Sequence, residues 1–205
     1  SAASDVYKRQ IHNVFTDDQL QILLAAANRF ADDHANKPTF RNQQYPWPIG
    51  TAEMIRHLPQ YDQVFQTALN VIQPHVDEYA KQLSNNQQVQ AVTTSSWLTV
   101  YRDYNFLVKH NHILFDYNNN QFAGSNVNAI IYLQVNQGEQ ISIFYPNKDM
   151  GYSQVKADMY TGRVGSIPLY NNSILLMPSW LEHSVEPVIR PVRKIIISSN
   201  YRYVT

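Results

Sequence analysis

The hydrophobic pattern changes period once, near Val89, and that change limits the architectures open to the chain. Before it, Leu20, Leu23, Leu24, Ala27 and Phe30 recur at helical spacing and predict an amphipathic helix over 17–34. Val64, Phe65, Ala68, Leu69, Ile72, Val76 and Tyr79 trace a second stripe over 61–84. After it come short runs rich in β-branched and aromatic residues, which mark strands at 90–94, 96–101, 128–135, 140–145, 166–169, 173–177 and 194–203. Asn118–Asn120, Asn136-Gln137-Gly138, Asn147-Lys148-Asp149 and Asn171-Asn172 punctuate them as turns. Helices first and strands afterwards is not the alternation that builds a parallel sheet. The expected class is α+β, mainly β: an antiparallel jelly-roll with the helices packed on one sheet.

Local signals refine the first half. Thr16 stands three residues before Gln19, a capping-box pattern, and Phe15 with Leu20 would staple the helix entry. Residues 11–15 read as an edge strand and 52–58 as a short helix ending near Pro59. Pro74 should kink or split the second helix. The stretch 36–50 carries Pro38, Pro46 and Pro48 and reads as a loop, with Tyr45 and Trp47 as packed lids. Residues 1–10 look like a leader or tag remnant, which leaves 11–205 as one domain: helical support over 11–88 and the jelly-roll core over 89–205.

Composition removes several function classes. Sixteen basic residues balance sixteen acidic ones, so no electrostatic footprint for nucleic acid or a membrane surface is visible. No run approaches the roughly 18 apolar residues of a membrane span, and a cytoplasmic protein is the default expectation. The absence of cysteine excludes disulfides and thiolate metal sites. Metal ligation therefore falls to His, Asp and Glu.

Two short stretches carry ligand-type residues. His110 and His112 are separated by one residue, and in a strand such residues face the same side, as a chelate requires. His183 follows Pro178-Ser179-Trp180, where a strand gives way to a turn, and is the best candidate for a third ligand. Spacing alone leaves surface or hydrogen-bonded core histidines as the alternative. The tripeptide His-Asn-His is no sign of an HNH nuclease, whose name-giving residues are dispersed along a longer motif.

The segment from Trp97 to Asn200 resembles the 2-oxoglutarate/Fe(II) oxygenase superfamily. Trp97 to Tyr104 precedes His110-x-His112, where most of the superfamily has His-x-Asp. The run 129–134, then Gly138-Glu139 and 141–145, is similar to its paired strands, and 178–187 is similar to the element that holds its second histidine. The nearest likeness is a small branch common in marine bacteria and phages, with prolyl-4-hydroxylase-like enzymes as more distant relatives.

The resemblance implies a double-stranded β-helix (cupin-like) in which His110, His112 and His183 hold Fe(II), leaving positions for 2-oxoglutarate and O2. It implies hydroxylation of a C–H bond in a peptidyl or small-molecule substrate, with release of succinate and CO2. A cation, Arg193 or Lys194, would pair with the distal carboxylate of the co-substrate; strand parity lets only one of them face inward. Tyr101, Tyr132 and Asn200 lie on strands that line the site in the family and are further candidates for its carboxylates. If His112 is a bystander, Asp116 or Asp103 would supply a carboxylate ligand instead. Loops 115–127 and 150–165 are long enough to be substrate lids, and Arg163 in the second would meet an anionic substrate. Two rivals stand beside this reading: a three-His cupin-type metal dioxygenase or isomerase that uses no 2-oxoglutarate, and a non-catalytic jelly-roll binding module.

Overall fold

The computed structural model describes residues 8–34, 53–56, 62–113, 115–116, 121–122, 124–144 and 165–205. In chain order these form β1 (Arg9–His12), α1 (Asp17–His34), β2 (Glu53–Arg56), α2 (Asp62–Ser84), β3 (Gln90–Tyr101), β4 (Leu107–His110), β5 (Phe115–Asp116), β6 (Gln121–Phe122), β7 (Val127–Gln134), β8 (Gln140–Phe144), β9 (Gly165–Pro168), β10 (Ser173–Pro178), β11 (Glu182–Val185) and β12 (Lys194–Val204). A major sheet of order β1-β10-β7-β12-β3-β2 faces a minor sheet of order β4-β11-β8-β9, and every pairing is antiparallel. Helices cover the outer face of the major sheet. This is the expected jelly-roll.

Alternation along the central strands sorts side chains into two cores. Val127, Ala129, Ile131 and Leu133 of β7, Ile174 and Leu176 of β10, and Ile195 and Ile197 of β12 pack with Phe30, Phe65, Ile72 and Val76 of the helices. Ile130, Tyr132, Leu175, Met177 and Ile196 point the other way, against Ile141, Ile143 and Val185 of the minor sheet. Because the major sheet is covered on both faces, β7 and β10 read as almost unbroken apolar runs. The layers are helices, sheet, sheet.

The helix signals hold in detail. Thr16 N–H donates to Gln19 Oε1 at 3.0 Å and Gln19 N–H to Thr16 Oγ1 at 3.2 Å, which closes both arms of the capping box. Phe15 and Leu20 join the same helix-side core. Pro74 does not split α2, which runs unbroken over 23 residues. Its missing N–H falls within a helix whose apolar face is held by the sheet.

Elsewhere the structure departs from the sequence reading. β1 takes in Arg9 and Gln10, assigned above to the leader, because pairing with Leu176 and Leu175 of β10 extends the edge. The stretch read as a helix at 52–58 contains strand β2 instead, added to the edge of β3. So short a stretch makes a helix too short to persist alone, and the ladder on offer decides. The two strands expected at 90–94 and 96–101 are one. Asn200 pairs with Ser95 and Tyr201 with Thr93, so Thr94 is an extra residue, a β-bulge that shifts the alternation mid-strand. The side chain of Asp116, the lids Tyr45 and Trp47, the loop 150–164 with Arg163, and the Asn118–Asn120 turn lie outside the described residues. Among the described residues no helix is long and apolar enough to cross a membrane.

Candidate metal centre

Three imidazoles meet between the sheets. The nitrogens that His110, His112 and His183 offer all lie within 4.8 Å of one another. Different devices bring each one there. His110 ends β4 and pairs with His183 of β11, while Leu107 pairs with Val185. Four residues of β4, Leu107–His110, therefore oppose three of β11, and this bulge lets Leu107 and His110 both line the interior cavity. His112 lies past the strand, where its N–H donates to Ser179 O at 2.7 Å. The turn after β10 holds it, rather than strand alternation.

Hydrogen bonds dictate which nitrogen faces the centre. His110 Nδ1 lies 2.8 Å from Val108 O and His183 Nδ1 lies 3.0 Å from Leu181 O. A carbonyl only accepts, so each Nδ1 carries the proton and each Nε2 keeps a free lone pair. His112 Nε2 and His183 Nε2 approach to 3.3 Å, with their rings stacked within 2° of parallel. Trp97 also stacks on His112, at 5.6 Å between centroids and 15° between planes. Burial, and then mutual repulsion within the cluster, holds His183 well below the usual histidine range and brings His112 down to about 3. Burial likewise lowers His110, against a hydrogen bond to Val108 O. Each of these shifts favours the neutral ring, the state a metal needs.

A cation lies further along the same cavity. Lys194 and Ser198 share a face of β12, four residues and roughly 13 Å apart at the usual strand rise. Lys194 is 1% exposed, and its Nζ sits 4.8 Å from the centroid of the Tyr101 ring and 5.9 Å from that of Tyr132. Lys194 Nζ, Tyr101 Oη, Tyr132 Oη and Thr99 Oγ1 are all buried without a hydrogen-bond partner. Burial lowers Lys194 to about 8 and raises both tyrosines beyond their ordinary range. Buried polar groups are normally satisfied, and a converging set of donors that is not fits an anion.

Arg193 goes the other way, outside the barrel, to Asp32 of α1 at 2.6 Å. Asn200 belongs to the histidine end: it accepts from Asn128, which lies against His112, and donates to Ser95. Asp103 Oδ1 accepts the Arg190 N–H at 2.9 Å and caps a loop. Sequence reasoning assigned no role to Arg190, whose Nε meets Glu139 Oε1 at 2.6 Å with both side chains buried. The guanidinium also bonds the carbonyls of Arg102, Asn105, Val188 and Glu186 and lies over the Tyr101 ring, bracing the wall behind Lys194. It sits in a loop with no periodicity, so nothing in the sequence marked it. Parity could have marked Trp97 and Thr99, counted back from Tyr101 on β3. A wider groove, about 720 Å³, lies over α2 around Pro74, but it holds no comparable convergence of groups.

No protein-family model matches the chain, and no curated protein matches it in sequence. Solved structures do match in three dimensions. A prolyl-4-hydroxylase from Pseudomonas putida superposes with a TM-score of 0.62 at 14% identity, over 98% of this chain and 98% of that one. The viral collagen prolyl hydroxylase of Paramecium Bursaria Chlorella virus-1, a 2-oxoglutarate complex, matches over 100% of both chains with a TM-score of 0.60 and 13% identity. HygX from Streptomyces hygroscopicus, with nickel and 2-oxoglutarate bound, matches at 0.61 and 13% identity, over 98% of this chain and 84% of that one. The chain has the jelly-roll fold of these 2-oxoglutarate-binding and prolyl-hydroxylating proteins, with three histidines gathered between its sheets.

Proposed function

We propose that the chain is an Fe(II)- and 2-oxoglutarate-dependent oxygenase that hydroxylates a C–H bond of a peptidyl or small-molecule substrate. The observation that carries this reading is the pairing of two incomplete sites in one cavity. Three ligand-type imidazole nitrogens gather at one end, and Lys194, buried without a hydrogen-bond partner, lies further along with the Tyr101 and Tyr132 hydroxyls. A keto acid chelated through one end and paired through its distal carboxylate would satisfy both. When bound, iron and 2-oxoglutarate supply the oxidising chemistry, with succinate and CO2 as products of the co-substrate.

The protein's own residues do the rest. His110, His112 and His183 would hold the metal. Lys194 would draw the distal carboxylate in, and Tyr101 and Tyr132 would donate hydrogen bonds to it. Trp97 fixes the plane of His112, and Ile130, Ile141, Val185 and Ile196 keep the interior apolar. The absence of a carboxylate from the histidine cluster, among the described residues, favours one alternative, a three-His metal dioxygenase or isomerase without 2-oxoglutarate.

Anaerobic titration of the Fe(II)-loaded protein with 2-oxoglutarate separates the readings. The proposal expects a saturable visible charge-transfer band near ~500 nm from the metal–keto-acid chelate. Iron binding without the band selects the three-His alternative. Failure to bind iron points to a non-catalytic module.

A further inference from the structure

We propose that the buried Glu139–Arg190 pair is the positioning element of the co-substrate pocket: its guanidinium holds the Tyr101 ring against the Lys194 amine, and its carboxylate supplies the negative charge that this amine otherwise lacks. The inference rests on the reading of Lys194 as the partner of the distal 2-oxoglutarate carboxylate. Both cations lie over one ring. Arg190 Cζ is 5.4 Å and Lys194 Nζ 4.8 Å from the Tyr101 centroid, and Arg190 Nε donates to Glu139 Oε1 at 2.6 Å. Glu139 also reaches the start of β12, through the 136–139 turn. Its Oε2 accepts the Asn136 N–H at 3.3 Å, while the Asn136 side chain donates to Val192 O at 3.1 Å and accepts the Val192 N–H at 3.2 Å. Gln134 Nε2 donates to Arg193 O at 2.6 Å, so both residues ahead of Lys194 are fixed where the strand begins.

Few charges face the amine. β3 and β7 present Tyr101 and Tyr132, both kept neutral by burial, and the minor sheet presents the apolar Leu107, Ile141 and Val185. The three histidines gather further along the cavity, and Arg193 is turned outward to Asp32. Among the described residues, Glu139 is therefore the acid that balances the buried amine, and Arg190 is the cation that opposes it. Burial lowers Lys194 to about 8; Glu139 acts against that fall and Arg190 adds to it. Only the protonated amine pairs with an anion, so a group that helps it keep its proton also keeps co-substrate affinity. Arg190 by itself would have the reverse effect. The two residues act as a unit, in which the guanidinium supplies position and the carboxylate cancels its charge.

The test uses Glu139→Gln, which keeps the shape of the side chain and an acceptor for Arg190 Nε but removes the charge. Anaerobic calorimetric titration of the Fe(II)-loaded protein with 2-oxoglutarate, repeated across pH, gives the midpoint above which affinity is lost. In Glu139→Gln this midpoint should fall by about one pH unit, which weakens binding about fivefold at the midpoint of the unsubstituted protein, while iron is retained. A merely structural role predicts the opposite sign, because a loosened wall admits water and returns the amine towards its ordinary 10.5. A midpoint that is unchanged or higher overturns the proposal. Carbon-13 spectra of the metal-free, unsubstituted protein provide a readout that needs no variant to fold. The Glu139 carboxylate carbon should shift with the same midpoint as Lys194 Cε, and a Glu139 signal that is flat across the Lys194 titration overturns the proposal. Failure of the co-substrate reading looks different: the unsubstituted, iron-loaded protein would then bind no 2-oxoglutarate, while the carbon-13 coupling would persist.

Discussion

At the scale of single residues, the site depends on groups that are neutral or charged because of where they are buried. His183 is the most enclosed of the three ligand candidates, and His183→Ala leaves two imidazoles, which cannot hold Fe(II) firmly. Equilibrium dialysis should show stoichiometric iron lost in this variant. Lys194→Met should weaken 2-oxoglutarate binding by about 10–100-fold, the value of a charge-assisted hydrogen bond, while metal binding persists. Arg193→Ala, which only releases Asp32, should leave 2-oxoglutarate affinity unchanged in the same calorimetric titration. The pH dependence follows from Lys194, whose pKa falls from 10.5 to about 8 on burial. Anion binding needs its protonated form, so 2-oxoglutarate affinity should be full below about 8 and fall by up to tenfold per pH unit above it. The sign is opposite for the stability of the empty protein. The unfolded chain binds more protons between about 8 and 10.5, so burial of Lys194 costs most below that window and stability rises across it.

At the scale of elements, irregularities place the chemistry. The bulge in β4 aims His110 inward, the bulge at Thr94 resets β3, and the turn after β10 pins His112. Loops on the far side are tied together by Arg190 and Glu139, which connect the 102–105 turn, the 136–139 turn and the approach to β12. Removing one member of a buried pair strands the other, so Arg190→Ala should destabilise by about 3–5 kcal/mol in urea unfolding. The double replacement Arg190→Met with Glu139→Leu should recover only the part of that loss that comes from the stranded carboxylate, because the carbonyls of Arg102, Asn105, Val188 and Glu186 stay without their donor.

At the scale of the whole molecule, the major sheet is covered on both faces, and the histidine cluster joins it to the smaller sheet. His110 and His183 come from β4 and β11 of the minor sheet, while His112 is held by the turn after β10 of the major one. A metal bound to all three would therefore clamp the two layers. At free metal about 100 times Kd, binding to the native state alone contributes about 2.7 kcal/mol, which for a chain of this size corresponds to a rise of roughly 5–11 °C in Tm. Chelator should remove that increment, and His183→Ala should not show it. Calorimetry with and without EDTA checks both.

The sequence by itself determined the parts governed by local periodicity and by order along the chain. These are both helices, most of the central strands, the jelly-roll class, and the three histidines as a candidate set. Each is a repeating or nearest-neighbour property, so it is written in the chain. Only the tertiary structure turns Lys194 inward and Arg193 outward to Asp32, because parity is counted from a register that pairing with Tyr101 sets. It moved Asn200 to the histidine end, turned 53–56 into an edge strand, and brought forward Arg190, Trp97 and Asn128. Those residues act mainly through partners far along the chain, such as Arg102 for Arg190 at 88 positions and Asn200 for Asn128 at 72, and such contacts leave no local pattern to read.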